Sequence, residues 1–287
     1  MTTLTLRRRA LPRVARTDPG LGPVGWTAIG VIALLALIAV LAPWLAPHDP
    51  NNISLLDANL GSSGDHLLGT DASGRDLLSR LLVGARSSLI GPLLVVVLAT
   101  ALGLTVAIVS AWLGGWVDAV VSRILDILFA FPGVLLAVLV VAVFRAGLGA
   151  AVAALVIAYI PYIARTVRSA ALREKSQPYI TALTIQGVGA PAICVRHILA
   201  NLMPLIVAQS TLTFGYAMVD LAAVSFLGLG VQPPTADWGV MVSTGQPSIL
   251  NGYPQESLYA SALIVLAVGA FNILGDRFTE RSQRSTR

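Results

Sequence analysis

The residues of this sequence that could do chemistry are few and widely spaced. His48, His66 and His197 are its three histidines. They read as scattered over both sides of a membrane rather than as a ligand cluster, so no metal site is expected. Cys194 is the single cysteine, which excludes an internal disulfide and a thiolate metal cluster. Between Ile193 and Val195 it reads as a small buried apolar residue. Lys175, the only lysine, follows Glu174 and lacks the glycine-rich backbone of a phosphate-binding loop. Gly187-Val-Gly189 lacks the third glycine of a dinucleotide fingerprint, since Ala192 stands there, and it follows no strand. No nucleophile–base pair lies within an apolar stretch. The chain is therefore expected to be non-catalytic and to bind no nucleotide or other cofactor itself.

Asp220 is the conspicuous exception, an acid inside an apolar run, where a charge costs several kcal/mol unless it is hydrated or paired. Two readings stay open here: it faces a central pathway, or it hydrogen-bonds a neighbouring helix. Gln209, Ser210, Thr211, Thr213 and Tyr216 give the same run a polar stripe. Such residues either join membrane helices or line a wet path for a polar solute. Asp126 follows Arg123 by one helical turn and is expected to form an exposed i,i+3 pair. His197 is expected to hydrogen-bond locally.

The elements that must hold these residues are membrane spans. Of 287 residues, 56% are hydrophobic and 11% charged, and the mean hydropathy is +0.80; soluble domains carry about a quarter charged residues. The net charge of +5 comes from arginines beside apolar stretches, as the cytoplasmic bias of membrane loops requires, and is not read as nucleic-acid binding. Residues 24–46 form an uncharged run, too long for a signal-peptide core and long enough to cross about 30 Å of hydrocarbon. Further spans are predicted at Ser87–Trp112, Ile124–Phe144, Ala146–Ala164, Leu202–Leu229 and Leu258–Gly275, with Arg145 and Gly147 in a short hairpin. The fold class is all-α and polytopic, with about six transmembrane helices. No barrel alternation occurs.

Arginine placement orients the chain. With the amino terminus inside, the cytoplasm receives Arg7, Arg8, Arg9, Arg13 and Arg16. It also receives Arg165, Arg168, Arg173, Lys175, Arg196 and the C-terminal Arg277, Arg281, Arg284 and Arg287. The expected divisions are a basic tail (1–23), a first span (24–46), an extracytoplasmic loop (47–86), a core of five spans (87–275) with an inner loop at 173–201, and a C-terminal tail (276–287). Between Asp71 and Arg86, charges alternate with Leu77, Leu78, Leu81 and Leu82, which predicts an amphipathic helix on the outer surface that orients the second span. Gly228, Gly230, Pro233 and Pro234 should stop the fifth span, and Trp238 suits the outer interface.

In the inner loop, Pro178 can open a helix, Gly187 and Gly189 can stop it, and Pro191 can open a second. Two short helices with a glycine hinge follow. The run Tyr179-Ile-Thr-Ala-Leu-Thr-Ile-Gln-Gly187, with Arg196-His197-Ile-Leu-Ala-Asn201, resembles the coupling loop of ABC importer permeases. Thr181 stands at the usual glutamate, Leu183 at the second alanine and Ala200 at a common proline. Leu68-Gly-Thr-Asp-Ala-Ser-Gly-Arg-Asp76 and Ser225-Phe-Leu-Gly-Leu-Gly-Val-Gln-Pro-Pro234 with Asp237-Trp-Gly239 are similar to segments of dipeptide and oligopeptide permeases. Asp220-Leu-Ala-Ala223 is closer to the dipeptide branch, and the resemblance covers all but the first twenty or so residues.

The resemblance implies a type I ABC importer permease fold in a bacterial inner membrane, with both termini cytoplasmic. It implies a heterodimer with a homologous second permease, two ABC ATPase subunits that hold ATP and Mg, an extracytoplasmic substrate-binding protein and a peptide substrate. It makes Tyr179, Thr181, Ala182, Gly187, Pro191, His197 and Asn201 the ATPase-coupling loop, and leaves Gln209, Thr213, Tyr216 and Asp220 as candidates for the translocation pathway. Nickel, glutathione and haem are alternative cargoes within the family. An ion-coupled secondary transporter would need internal repeats and more buried ionisable groups. An intramembrane enzyme would need a catalytic constellation within the spans.

Overall fold

In the computed structural model, residues 21–285 are described, with side chains as far as 281; the N-terminal arginines expected inside lie outside that range. Ten helices follow in order: α1 (Gly22–Leu45), α2 (Leu77–Leu113), α3 (Gly115–Phe129), α4 (Gly133–Phe144), α5 (Leu148–Lys175), α6 (Pro178–Ile185), α7 (Ala190–Ile193), α8 (Ala200–Phe226), α9 (Trp238–Leu250) and α10 (Gln255–Ser285). A π-helical turn, Cys194–Leu199, joins α7 to α8. Among the described residues the only β pairing is an isolated bridge between Thr70 and Asp76.

Among the described residues, five stretches are long and apolar enough to cross a membrane: α1, α2, α5, Ala190–Phe226 and Gln255–Arg281 of α10. A sixth is reached only if α3 and α4, bent by 87°, count as one span. The expected continuous span from Ile124 to Phe144 is therefore broken. Phe131 precedes a proline, which disfavours helical backbone there, and Pro132 stands at the N-cap of α4.

Small residues set the packing. α2 packs most extensively against α5, and α8 against α10. Ala99, Ala107, Ala151, Ala154 and Ala164 are almost wholly buried. A Cβ on Gly103 of α2 would stand 3.0 Å from the Ile163 side chain of α5. Without water to drive apolar association inside a bilayer, such close backbone approach is what holds helices together. Large exposed side chains cover the periphery, among them Leu94, Leu98, Leu102 and Leu139, where hydrocarbon replaces water as the solvent.

Three expectations at the α2 start give way. Leu77–Arg86 is no separate surface helix but the opening of the 37-residue α2, and Leu77 and Leu81 point into the core. A leucine spacing that suits a membrane surface suits a packed bundle equally well. Trp238 is not at an interface; it is fully buried, with Nε1–H donating to the Leu81 carbonyl at 3.0 Å. The histidines are not all scattered, because His48 and His66 meet beside Asp76 with ring centroids 5.0 Å apart.

Candidate functional site

α6 rests on the bundle through Ile180, with Tyr179 and Leu183 packed beside it, and a side-chain mount holds its start. The mount is a triangle of side chains: Glu174 Oε1 accepts from Tyr179 Oη–H at 2.6 Å and from Asn201 Nδ2–H at 2.8 Å. Asn201 Nδ2 also reaches Tyr179 Oη at 3.0 Å. The end of α5, the first turn of α6 and the start of α8 are thereby tied at one point. Burial, then the Glu174 carboxylate, pushes the Tyr179 phenol up to about 12. Next to this triangle Lys175 Nζ donates to the Ala111 and Trp112 carbonyls at 3.0 and 2.6 Å. It satisfies the last carbonyls of α2, where the helix dipole favours a cation.

Glycine ends α6 at the residue where the sequence requires it. Gly187 has φ of +79°; its N–H donates to Thr184 O at 3.0 Å, and Val188 N–H donates to Leu183 O at 3.1 Å. This is a Schellman termination, whose left-handed position costs an L-residue about 1–2 kcal/mol. No atom would meet a Cβ there, so the requirement is conformational rather than steric. Only Ile180 of α6 is buried; Thr181 and Ala182 are exposed, and Ile185 is 81% exposed. The helix therefore presents an uncharged, partly apolar face to whatever lies beneath.

Pro191 opens α7 as expected, but α7 is not an independent second short helix. It runs through the π turn into α8, with Ile193, Cys194 and Ile198 buried. His197 makes no side-chain hydrogen bond among the described residues; its ring lies 6.4 Å from that of Tyr179. Asp126 pairs not with Arg123 but with Arg165, whose guanidinium sits 4.4 Å from the Phe129 ring centroid. Asp118 is held by Arg168 through two parallel contacts, Nε to Oδ1 at 2.5 Å and Nη2 to Oδ2. Both acids fasten α3 to α5, since a charge on a span is cheapest when its partner is on the adjacent helix.

The second candidate site is a cavity of about 480 Å³ lined by Tyr159, Tyr162, Tyr216, Val219 and Asp220. Helical spacing puts Tyr159 with Tyr162 on one face of α5 and Tyr216 with Asp220 on one face of α8. Tyr159 Oη–H donates to Asp220 Oδ2 at 2.8 Å, so the acid both bonds a neighbouring helix and borders the cavity. Tyr216 is half exposed. Gln209 and Thr213 do not line this cavity. Thr213 is fully buried and its hydroxyl donates to the Gln209 carbonyl at 2.8 Å, so it needs no water. Glu174, Tyr159 and Tyr162 are the residues that sequence reasoning missed. Their only signal was position, a carboxylate just past a span and aromatics one turn apart within it.

At the opposite end of α2 a polar collar is closed. Asp71 accepts from Ser73 N and Arg75 N at 2.8 and 3.0 Å and from Arg75 Nε at 2.7 Å. Arg80, 1% exposed, lies 3.6 Å from the same carboxylate and donates to the Pro50 carbonyl at 3.0 Å. Asp76 caps α2 through Ser79 N–H at 2.8 Å. Burial alone would raise the Asp76 carboxyl, but the bonds from Ser79 and His66 hold it below the usual range. Asp237 caps α9 and accepts from Ser88 Oγ at 2.7 Å, while Ser88 Oγ accepts from Trp238 N at 2.9 Å. The motifs around Asp76 and Asp237 are thus one interlocked structure.

Comparison with known proteins shows the family of the chain. Residues 82–287 match the family model described as the binding-protein-dependent transport system inner membrane component. Residues 23–61 match the N-terminal TM domain of oligopeptide transport permease C. The chain is 39% identical over 251 residues to the glutathione transport system permease protein GsiD of Escherichia coli O6:K15:H31, covering 87% of this chain and 82% of that one. It is 37% identical over 254 residues to the probable D,D-dipeptide transport system permease protein DdpC of Escherichia coli strain K12, with 88% and 85% covered.

Proposed function

This chain belongs to the binding-protein-dependent transport system inner membrane component family, and from that premise we propose which of its parts do the work. It is a multi-pass permease subunit of a peptide-class ABC importer, a family that implies ATPase and binding-protein partners. Our reading of the finer assembly is one heterodimer with a homologous second permease, two ATPases on the inside that hold ATP and Mg, and a binding protein outside. The chain itself is non-catalytic. Both termini are cytoplasmic and the membrane is the bacterial inner one, a reading supported by the arginines of the α5 end and the C-terminal tail.

In this reading α6 is the coupling helix. Closure of the ATPases around ATP pushes α6, and the Glu174–Tyr179–Asn201 triangle passes that push to α5 and α8 together. These two helices carry Tyr159, Tyr162, Tyr216 and Asp220, so the cavity changes shape as rigid helices tilt. Three tyrosines and one carboxylate suit the ammonium group and amides of a short peptide. Dipeptides are the leading cargo, and a tripeptide such as glutathione fits the same chemistry and the name of one relative.

The observation that carries this reading is the exposed, rigidly mounted α6 with its glycine termination at Gly187. Gly187→Val should leave insertion and assembly intact. It should cost the docked geometry about 1–2 kcal/mol, a factor of roughly 5–30 in its population. Substrate-stimulated ATP hydrolysis and uptake by the reconstituted complex should fall together by that factor. Unchanged stimulation and uptake would remove α6 from the coupling path.

A further inference from the structure

The collar brings together three side chains that the sequence holds far apart. His48 follows the exit of α1, His66 lies in the loop, and Asp76 caps α2. Their ligand atoms all lie within 4.8 Å of one another. His66 Nδ1 is 3.0 Å from Asp76 Oδ1, and His48 Nδ1 is 3.9 Å from Asp76 Oδ2. Exposure falls in steps from 43% at the His48 side chain through 17% at His66 to 2% at Asp76, as in a short well with the carboxylate at its floor. His48 and Asp76 line a cavity of about 300 Å³ together with Pro47, Gly64, Asp65, Leu67 and Leu78.

The cap of α2 needs none of this. Asp76 Oδ2 already takes the Ser79 amide and hydroxyl at 2.8 and 2.6 Å, and one imidazole would suffice to orient Oδ1. His48 is the surplus group: its ring makes no hydrogen bond among the described residues, yet it converges on the same carboxylate. The backbones are anchored as well. His48 N–H donates to Ser79 Oγ at 3.1 Å, His66 N–H donates to Ser63 Oγ at 3.1 Å, and His66 O accepts from Gly69 N at 3.0 Å. Two imidazoles and a carboxylate that converge on one place offer a cation three ligand atoms.

We propose that His48, His66 and Asp76 form a binding site for a divalent transition-metal ion, Zn2+ in the first instance. Metal–ligand bonds of about 2.1 Å in a tetrahedron separate the ligands by about 3.4 Å; His66 Nδ1 stands 3.0 Å from Asp76 Oδ1 and His48 Nδ1 3.9 Å from Oδ2 of the same carboxylate. The exposed His48 side chain must close in and the His66 ring must draw back by a few tenths of an ångström. Imidazole nitrogen with carboxylate oxygen, and no thiolate, suits Zn2+ rather than Cu(I) or a large hard cation. Water, or Asp65 at the rim, takes the fourth position. As the ion takes the lone pair of His66 Nδ1, the ring's proton is carried on Nε2, so the imidazole binds neutral. The ion would cross-link the exit of α1, the loop and the first turn of α2, which makes it a staple of the collar and not a cargo.

The test is calorimetric titration of ZnCl2 into the full chain, purified in detergent with a tag free of histidine and stripped with EDTA. One equivalent should bind, and His48→Ala and His66→Gln should each weaken binding by at least about tenfold. Co2+ in place of Zn2+ should give visible ligand-field absorption that His48→Ala abolishes. His48→Ala, exposed at the rim, should melt at the parental temperature without metal, and only the parent should gain in melting temperature when Zn2+ is added. Absence of a stoichiometric binding event, or equal affinity in His48→Ala, would overturn the proposal. Failure of the coupling assignment would leave this result untouched, because the two sites lie at opposite ends of α2.

Discussion

The two ends of α2, roughly 55 Å apart at helical rise, are built on opposite principles. At its start Asp71, Asp76, Arg80, Ser88 and Asp237 are all buried and interlocked. At its finish Lys175 and the Glu174–Tyr179–Asn201 triangle hold a helix whose own face is almost entirely exposed. A permease needs one end to keep its shape and the other to be grasped. The collar turns its polar groups on its own structure, whereas α6 is tied near its ends and leaves Thr181, Ala182 and Ile185 exposed.

That contrast can be broken most severely at the collar. Asp71→Ala leaves Arg80 buried without its carboxylate and strips three further bonds, and removing one partner of a buried pair costs about 3–5 kcal/mol. Unfolding of the purified chain, followed by thermal melting, should show a loss on that scale; a loss below about 1 kcal/mol would mean that the collar is not a stability centre. Gly187→Val should do the reverse, with a melting temperature near the parent and coupled transport reduced by a factor of roughly 5–30.

A smaller effect is expected in the cavity between the two ends. Asp220→Ala leaves Tyr159 Oη, half-buried beside the cavity, without its acceptor, a loss of about 0.5–1.5 kcal/mol, and should lower uptake without releasing the ATPases. Loss of the whole complex instead would make Asp220 a structural acid. The smallest effect concerns pH. The Tyr179 phenol stays protonated in the folded chain up to about 12, above its unfolded value near 10. Its contribution to the α6 mount is thus full below about pH 10 and is lost as the pH rises through about 12. Phenolate absorbance should show one fewer late-titrating tyrosine in Tyr179→Phe, and an unchanged titration would put Tyr179 outside the triangle.

The sequence disclosed what depends on composition and local backbone. Apolar run lengths located the spans, and Pro178, Gly187 and Pro191 marked the beginning and end of α6 and the start of α7 by their dihedral preferences alone. Through-space pairing stayed hidden. Asp126 chose Arg165 over the neighbouring Arg123 because α3 and α5 pack together, which no local spacing reveals. Trp238 was read by the habit of its residue type, whereas its indole N–H found a carbonyl 157 positions earlier in the chain. Pro132 falls inside the predicted Ile124–Phe144 span and breaks it, because proline's effect depends on whether neighbouring helices hold the bend straight. His48 and His66 were counted as isolated because the loop fold that joins them is written in glycines and backbone bonds, not in histidine spacing.

The central claim, that α6 is the surface the ATPase grasps, is tested most directly by cross-linking from Ala182, which is exposed on α6. Ala182→Cys should be the one reactive thiol, since Cys194 is buried. In the assembled importer a short bifunctional reagent should join it to the ATPase subunit, in a yield that changes when ATP is added. A cysteine at 182 that stays freely labelled in the intact complex, with and without ATP, would contradict the account.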